Sequence, residues 1–212
     1  MSWVELLGAA VGIGLVAGMR LYATVLMLGA AIHFGWIAIS PGQEQWSILA
    51  HPAVISVAGI AFLVEFIADK IPWVDSIWDS FHTIIRPVGA AVLGATMIGT
   101  ANPVFQTVIA ILCGGIALTS HSSKAASRLL VNQSPEPVSN FFVSLIEDAM
   151  VPLGLWLAIS HPLVMIVLFL VFLALFIWMV PKIFRLMKQL AVTVYSRLKG
   201  NKPADAMMRP QS

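Results

Sequence analysis

The sequence predicts an all-α, polytopic membrane protein of about six transmembrane helices, with a broken or re-entrant first helix and an amphipathic cytoplasmic helix near residues 72–86. Three observations predict it. Of 212 residues, 59% are hydrophobic and 10% charged, against about 45–50% and about 25% in a soluble domain. Apolar stretches close to the roughly 20 residues that cross a hydrocarbon core of about 30 Å recur along the chain. Every second connection between them lacks Lys and Arg.

The first stretch, residues 3–39, is too long for one straight crossing, and Gly8, Gly12, Gly14 and Gly18 lead up to Arg20 near its middle. It reads as a broken or strongly tilted helix, or as a re-entrant piece followed by a span from about Arg20. The remaining spans cover residues 53–68, 87–101, 104–120, 138–159 and 163–180, the third and fourth joined by a tight turn at Asn102-Pro103. Residues 1–182 form one integral membrane domain, and 183–212 a basic tail. In the tail Ile183, Phe184, Met187, Leu190, Val194 and Leu198 oppose Lys182, Arg185, Lys188 and Arg197, a helix that can lie on an anionic bilayer surface. Composition predicts disorder after Gly200.

Lys and Arg near span ends are retained on the cytoplasmic side. The turns around Gln43, Asn102 and His161 contain neither, whereas the alternate segments hold Lys70 and Arg86, Lys124 and Arg128, and the tail. Eleven of the twelve basic residues thus fall on one side, and Arg20 alone is left in the membrane. The expectation is an inner-membrane protein with both termini cytoplasmic. No signal peptide is expected, because Glu5 is the only early charge and the apolar stretch continues. The single Cys113 excludes a disulfide framework and a cysteine-based zinc cluster. A net charge of +2, with the basic residues beside a membrane segment, argues against nucleic acid as a partner.

An ionisable group at the bilayer centre costs roughly 2.5–3.5 kcal/mol on insertion scales and persists mainly where it faces protein or water. Arg20, Glu65 and Glu147 qualify. Glu147 lies ten residues past Pro137, about 15 Å into its helix, and its neighbour Asp148 points about 100° away, so the two are not expected to serve one partner equally. Glu65 stands one turn deeper than Asp69 on the same face. Arg20, Glu65, Asp69, Glu147 and Asp148 are therefore candidates for a substrate or ion site in the membrane. A buried ion pair holding helices in register is the other reading.

If Pro72 opens a helix, Asp75, Asp79, His82 and Arg86 follow at i, i+4, i+7 and i+11 on one stripe. His121, Lys124 and Arg128, at i, i+3 and i+7, form a complementary basic stripe. Ion pairing between the stripes and a divalent-cation site at Asp75, Asp79 and His82 fit this pattern equally, and no other cofactor is predicted. Two prolines bracket Glu136 and start a helix near Val138, placing Ser139 and Asn140 in a first turn that can hold an anion or simply cap the helix.

The combination Gly18-Met-Arg-Leu-Tyr22, Glu65-Phe-x-Ala-Asp-Lys-Ile-Pro72 running on through Asp75, Trp78-Asp79, His82-Thr83 and Arg86-Pro87, then Ser134-Pro-Glu-Pro137 with Ser139-Asn140 and Ser144-Leu-Ile-Glu-Asp148, resembles a bacterial membrane family catalogued as domain of unknown function 4126. The resemblance covers about residues 5–180. It implies a multi-pass fold and brings no catalytic role with it.

A transporter or channel for a small charged solute, lodged in the lipid bilayer, accounts best for charge of both signs in glycine-interrupted apolar helices. A membrane enzyme acting on lipid or isoprenoid phosphate head groups is the second class, with Asp75, Asp79 and His82 on a metal and Arg86, Lys124 and Arg128 on the phosphate. A non-catalytic assembly or sensor protein is the third. Small residues such as Gly89, Ala90, Gly94, Gly114, Gly115 and Ala117 permit close packing within the chain or in a homo-oligomer. No Ser-His-Asp constellation or phosphate-binding glycine loop is discernible.

Overall fold

A computed structural model describes residues 2–39, 42–99, 102–131 and 137–198. The described elements are all helical: α1 (Trp3–Met19), α2 (Leu21–His33), a 3-10 helix (Glu44–Ala50), α3 (Pro52–Ala68), α4 (Pro72–Ile98), α5 (Pro103–Val131), α6 (Pro137–Ser160) and α7 (Pro162–Leu198). Proline opens each of α3 to α7, where its fixed φ suits a first turn and its missing N–H is not needed. Ser2 and Glu5 close a capping box at the start of α1.

The chain divides into two compact units, Met1–Leu170 and Val171–Ser212. In the first, α1 is the central element. It is apolar on every side, its residues from Gly8 to Gly18 are all buried, and it packs against α4, α5 and α6. Its glycines make that approach possible: a Cβ on Gly14 would stand 2.9 Å from Ile116 Cβ, and one on Gly18 would stand 2.8 Å from Ala117 Cα. Gly94 and Gly114 serve the α4–α5 contact in the same way, against Cys113 and Pro87, so these small residues are used within the chain.

The first apolar stretch breaks at one residue. Arg20 has non-helical φ −147° and ψ 81°, yet its backbone is satisfied on both sides. Its N–H donates to Val16 O at 2.8 Å and closes α1, while its carbonyl accepts from the Thr24 N–H at 3.0 Å and the Thr24 hydroxyl at 2.7 Å. A break inside an apolar bundle requires such compensation.

Two expectations are corrected. The amphipathic stretch at 72–86 is not a separate cytoplasmic helix; it runs through Pro87 into the following apolar stretch as the single 27-residue α4. Proline removes one backbone hydrogen bond, but α4 lies along α5 over both halves and the packing keeps it continuous. Its polar stripe faces inward, with Asp75, Asp79, His82 and Arg86 buried and Ile77, Phe81 and Ile84 exposed. Likewise the span at 104–120 and the basic stripe behind it are one helix, α5.

Four helices are long and apolar enough to cross a membrane: Val74–Ile98, Pro103–Arg128, Phe141–Ser160 and Pro162–Lys182. The 3-10 helix and α3, bent by 58°, make a fifth if they act as one span, whereas α1 and α2 are shorter. At 1.5 Å per residue α1 is about 25 Å long and α2 about 20 Å, so neither alone covers a core of about 30 Å. The expected six crossings therefore require α1 and α2 to share one. Large apolar side chains such as Ile60, Ile84 and Ile111 stand out from the bundle, as on a surface facing lipid. The protein is a polytopic helical membrane protein.

In the second unit α7 continues to Leu198. Lys182 places its ammonium 3.0 Å from the centroid of the exposed Trp178 ring, an aromatic and cationic pairing common where a span meets water. The apolar side chains of the tail's expected amphipathic face, and the stretch expected to be disordered, lie outside the described residues.

Candidate functional site

The break in the first helix aims Arg20 into the bundle, where it and three other buried cations, Arg86, Lys124 and Arg128, assemble with six carboxylates. Arg20 Nη1 pairs with Asp69 Oδ2. Its Nη2 lies 3.0 Å from Asp148 Oδ1 and 3.7 Å from Glu147 Oε2, and donates to the Ser144 hydroxyl at 3.0 Å and carbonyl at 3.3 Å. Asp69 stands in the α3–α4 turn, while Ser144, Glu147 and Asp148 belong to α6. The guanidinium at the break therefore ties three parts of the fold together. Glu147 and Asp148 both approach Nη2 but serve it unequally, as their 100° separation predicts: Asp148 is the nearer, and Glu147 is held more closely by Arg128, at 2.7 Å.

Glu65, on α3, pairs with Arg86 rather than Arg20: Arg86 Nη2 donates to Glu65 Oε1 at 2.7 Å. Arg86 Nη1 lies 3.2 Å from Asp79 Oδ1 and 2.7 Å from His121 Nδ1. Since the guanidinium is donor-only, His121 Nδ1 accepts, which makes the ring neutral with its proton on Nε2. That proton faces the Asp79 carbonyl at 3.1 Å. His82 is turned elsewhere, its Nδ1 toward the Trp78 carbonyl at 2.7 Å and its Nε2 toward the Tyr22 hydroxyl at 3.2 Å.

The two stripes meet, and Lys124 joins them to the Arg20 group. Its ammonium lies 3.0 Å from Asp69, 3.8 Å from Asp79 and 3.5 Å from Glu147. Arg128 donates to both oxygens of Glu147, from Nη2 at 2.7 Å and Nε at 3.2 Å. Lys70, half-buried at the edge, lies 3.9 Å from Asp148 and donates to the Phe66 carbonyl and the Ser144 hydroxyl. Partial burial pushes the Lys70 amine below its ordinary value, and Asp148 opposes that.

Asp75 is on the same inward stripe and is fully buried. It lines a cavity of about 160 Å³ with Ser76, Asp79, Ser80 and Thr83 of α4 and with Ala125 and Arg128 of α5. Larger clefts, of about 430 and 560 Å³, are lined almost wholly by apolar side chains and hold none of these charges. Among the described residues, the buried charges therefore gather at the small cavity and the network behind it.

Asp75, Asp79 and His82 do not converge as a cation site, since His82 faces Tyr22 and Asp79 faces Arg86. Among the described residues no group of three or more His, Cys, Asp or Glu is placed to hold a metal ion. Arg86, Lys124 and Arg128 each face a carboxylate. Glu136 lies outside the described residues; Ser139 and Asn140 fall in the first turn of α6, and their side chains are not among those described.

Sequence reasoning passed over Ser144, Lys70, Tyr22 and Thr83. Ser144 had a signal, standing three residues before Glu147 on the same helical face; Lys70 adjoins Asp69. Tyr22 and Thr83 had only their place in the motifs Gly18-Met-Arg-Leu-Tyr22 and His82-Thr83, which named no partner for them.

No curated protein and no solved structure matches the chain. Residues 7–182, which hold the helix break, both stripes and every charge of the network, match the family described as Domain of unknown function (DUF4126). The chain belongs to the DUF4126 family.

Proposed function

We propose that this protein moves a small charged solute across the bacterial inner membrane as a transporter or channel, with the network around Arg20 as its polar site. The observation that carries the reading is the break at Arg20. A helix interrupted in mid-bundle, with a buried guanidinium shared among carboxylates from two other parts of the fold, is the kind of discontinuity on which transporters build binding sites. A network that only locks helices together does not require an interrupted helix.

Both termini are assigned to the cytoplasm. Arg86, Lys124 and Arg128 are consumed by the network, so this orientation rests on the basic run from Lys182 onward. A reporter fused at either end checks it.

Purified full-length protein in proteoliposomes tests the transport reading. Charge displacement is measured after concentration jumps of sodium, potassium, chloride, phosphate and acetate, for the wild type and Glu147→Gln. A wild-type signal that the variant loses while keeping its melting temperature within a few degrees supports the proposal. Unchanged flux with a lowered melting temperature assigns the network a purely structural role, and folded wild type that passes none of these solutes overturns the reading.

A further inference from the structure

The geometry points to Asp75 as the site of one exchangeable proton, reached through the hydroxyl-lined cavity beside it. This deepens the transport reading, because such a proton is the ion that would accompany the solute.

The charge balance comes first. The network holds five cations, Arg20, Lys70, Arg86, Lys124 and Arg128, and each is ion-paired. Six carboxylates face them: Glu65, Asp69, Asp75, Asp79, Glu147 and Asp148. Among the described residues, all but Asp75 take part in an ion pair. One negative charge is thus in excess among them, and the carboxylate left over is the one without an ion-pair partner there. Asp75 is 0% exposed, and among the described residues neither of its oxygens has a hydrogen-bond donor.

An ionised carboxylate buried without a partner is costly, and it is relieved by a proton or a cation. The charged groups acting on Asp75 are Arg128 and Lys124 from α5, Asp79 from its own helix and Asp69 from the α3–α4 turn. Both cations are already paired with other carboxylates. A metal ion needs several converging oxygens, and the described acidic, His and Cys side chains offer no such group. A proton needs one carboxylate oxygen.

Access is provided on one face of α4. Ser76, Ser80 and Thr83, spaced along that face and exposed, share the cavity wall with Asp75 and Asp79. The Ser80 hydroxyl donates to the Ser76 carbonyl at 2.9 Å and that of Thr83 to the Asp79 carbonyl at 3.0 Å. Their oxygens keep lone pairs that can receive a proton in transit.

The test is pH-difference infrared spectroscopy on the full-length protein in lipid vesicles. The expected result is a protonated-carboxyl carbonyl band that titrates in the wild type, is absent in Asp75→Asn and returns at a shifted frequency in Asp75→Glu. If Asp75→Asn does not fold, the frequency shift in Asp75→Glu carries the assignment. Absence of the band from the wild type, its persistence in Asp75→Asn, or its loss on adding sodium at fixed pH overturns the proposal. The measurement does not depend on transport: a band assigned to Asp75 in protein that passes no solute removes the transport reading and keeps the proton site. Where flux is present, Asp75→Asn lowers its pH-gradient-driven component at least tenfold, and an unchanged component overturns the coupling role.

Discussion

Arg86 of α4 and Glu65 of α3 meet at 2.7 Å with neither side chain exposed. Arg86 also fixes a neighbour's state, since its Nη1 keeps the Nδ1 atom of His121 unprotonated. Removing Arg86 leaves Glu65 as a buried charge with no other ion pair among the described residues, at a cost of about 3–5 kcal/mol, whereas Arg86 without Glu65 keeps Asp79. Arg86→Gln is therefore expected to lower the melting temperature of the detergent-solubilised protein more than the double variant Glu65→Gln/Arg86→Gln does. Equal or additive losses would show that the two side chains contribute independently.

The small residues yield a paired prediction. A methyl on Gly18 would lie 2.8 Å from Ala117 Cα and Ser120 Cβ, whereas one on Gly115 would meet nothing within 4 Å. Gly18→Ala is expected to destabilise by about 1–3 kcal/mol through overpacking. Gly115→Ala is expected to be neutral or to gain about 0.5–1 kcal/mol from helix propensity. Thermal unfolding of the two variants side by side checks both signs.

Much of this site was readable from periodicity alone. Proline at 72 followed by polar residues at 75, 79, 82 and 86 specifies one helical stripe, and 121, 124 and 128 specify another. The break at Arg20 announced itself as a charge behind a run of glycines. Which stripe residue meets which was not readable, because pairing depends on how α3, α4, α5 and α6 are arranged in space. The orientation signal is weakened for a related reason. Arg86, Lys124 and Arg128 look like flanking charges that mark a membrane side, and the sequence does not separate a cation held at the water boundary from one buried against a carboxylate. Pro87 misled, since a proline that would end an unsupported helix is tolerated where the helix is packed along its whole length.

Asp69 predicts a pH dependence. Burial pushes its carboxyl up, but the charges of Lys124 and Arg20 and the hydrogen bond from Lys124 outweigh it and hold the group at about 2, below its ordinary 3.8. The folded protein thus keeps Asp69 ionised over a range in which the unfolded chain protonates it. Its stabilisation, on the order of 2 kcal/mol, is complete above about pH 4 and is lost as the pH falls toward 2. Between pH 5 and 2.5 the melting temperature of wild type is expected to fall more steeply than that of Asp69→Asn; parallel curves would remove Asp69 as the cause.

Arg20 distinguishes charge from geometry. One guanidinium meets Asp69 through Nη1, and through Nη2 it meets Asp148 and the Ser144 hydroxyl and carbonyl. Lysine keeps the charge but is a compact point donor that cannot span partners on α6 and on the α3–α4 turn at once. Arg20→Lys is therefore expected to be destabilising despite conserving charge. Ser144→Ala, which removes one acceptor of a charge-assisted bond, should cost about 1.5–3 kcal/mol in the wild-type background. In the Arg20→Lys background its effect should shrink, because the bond it removes is already lost. A double-mutant cycle on the solubilised protein measures that coupling, and strictly additive losses would show that Ser144 does not act through Arg20.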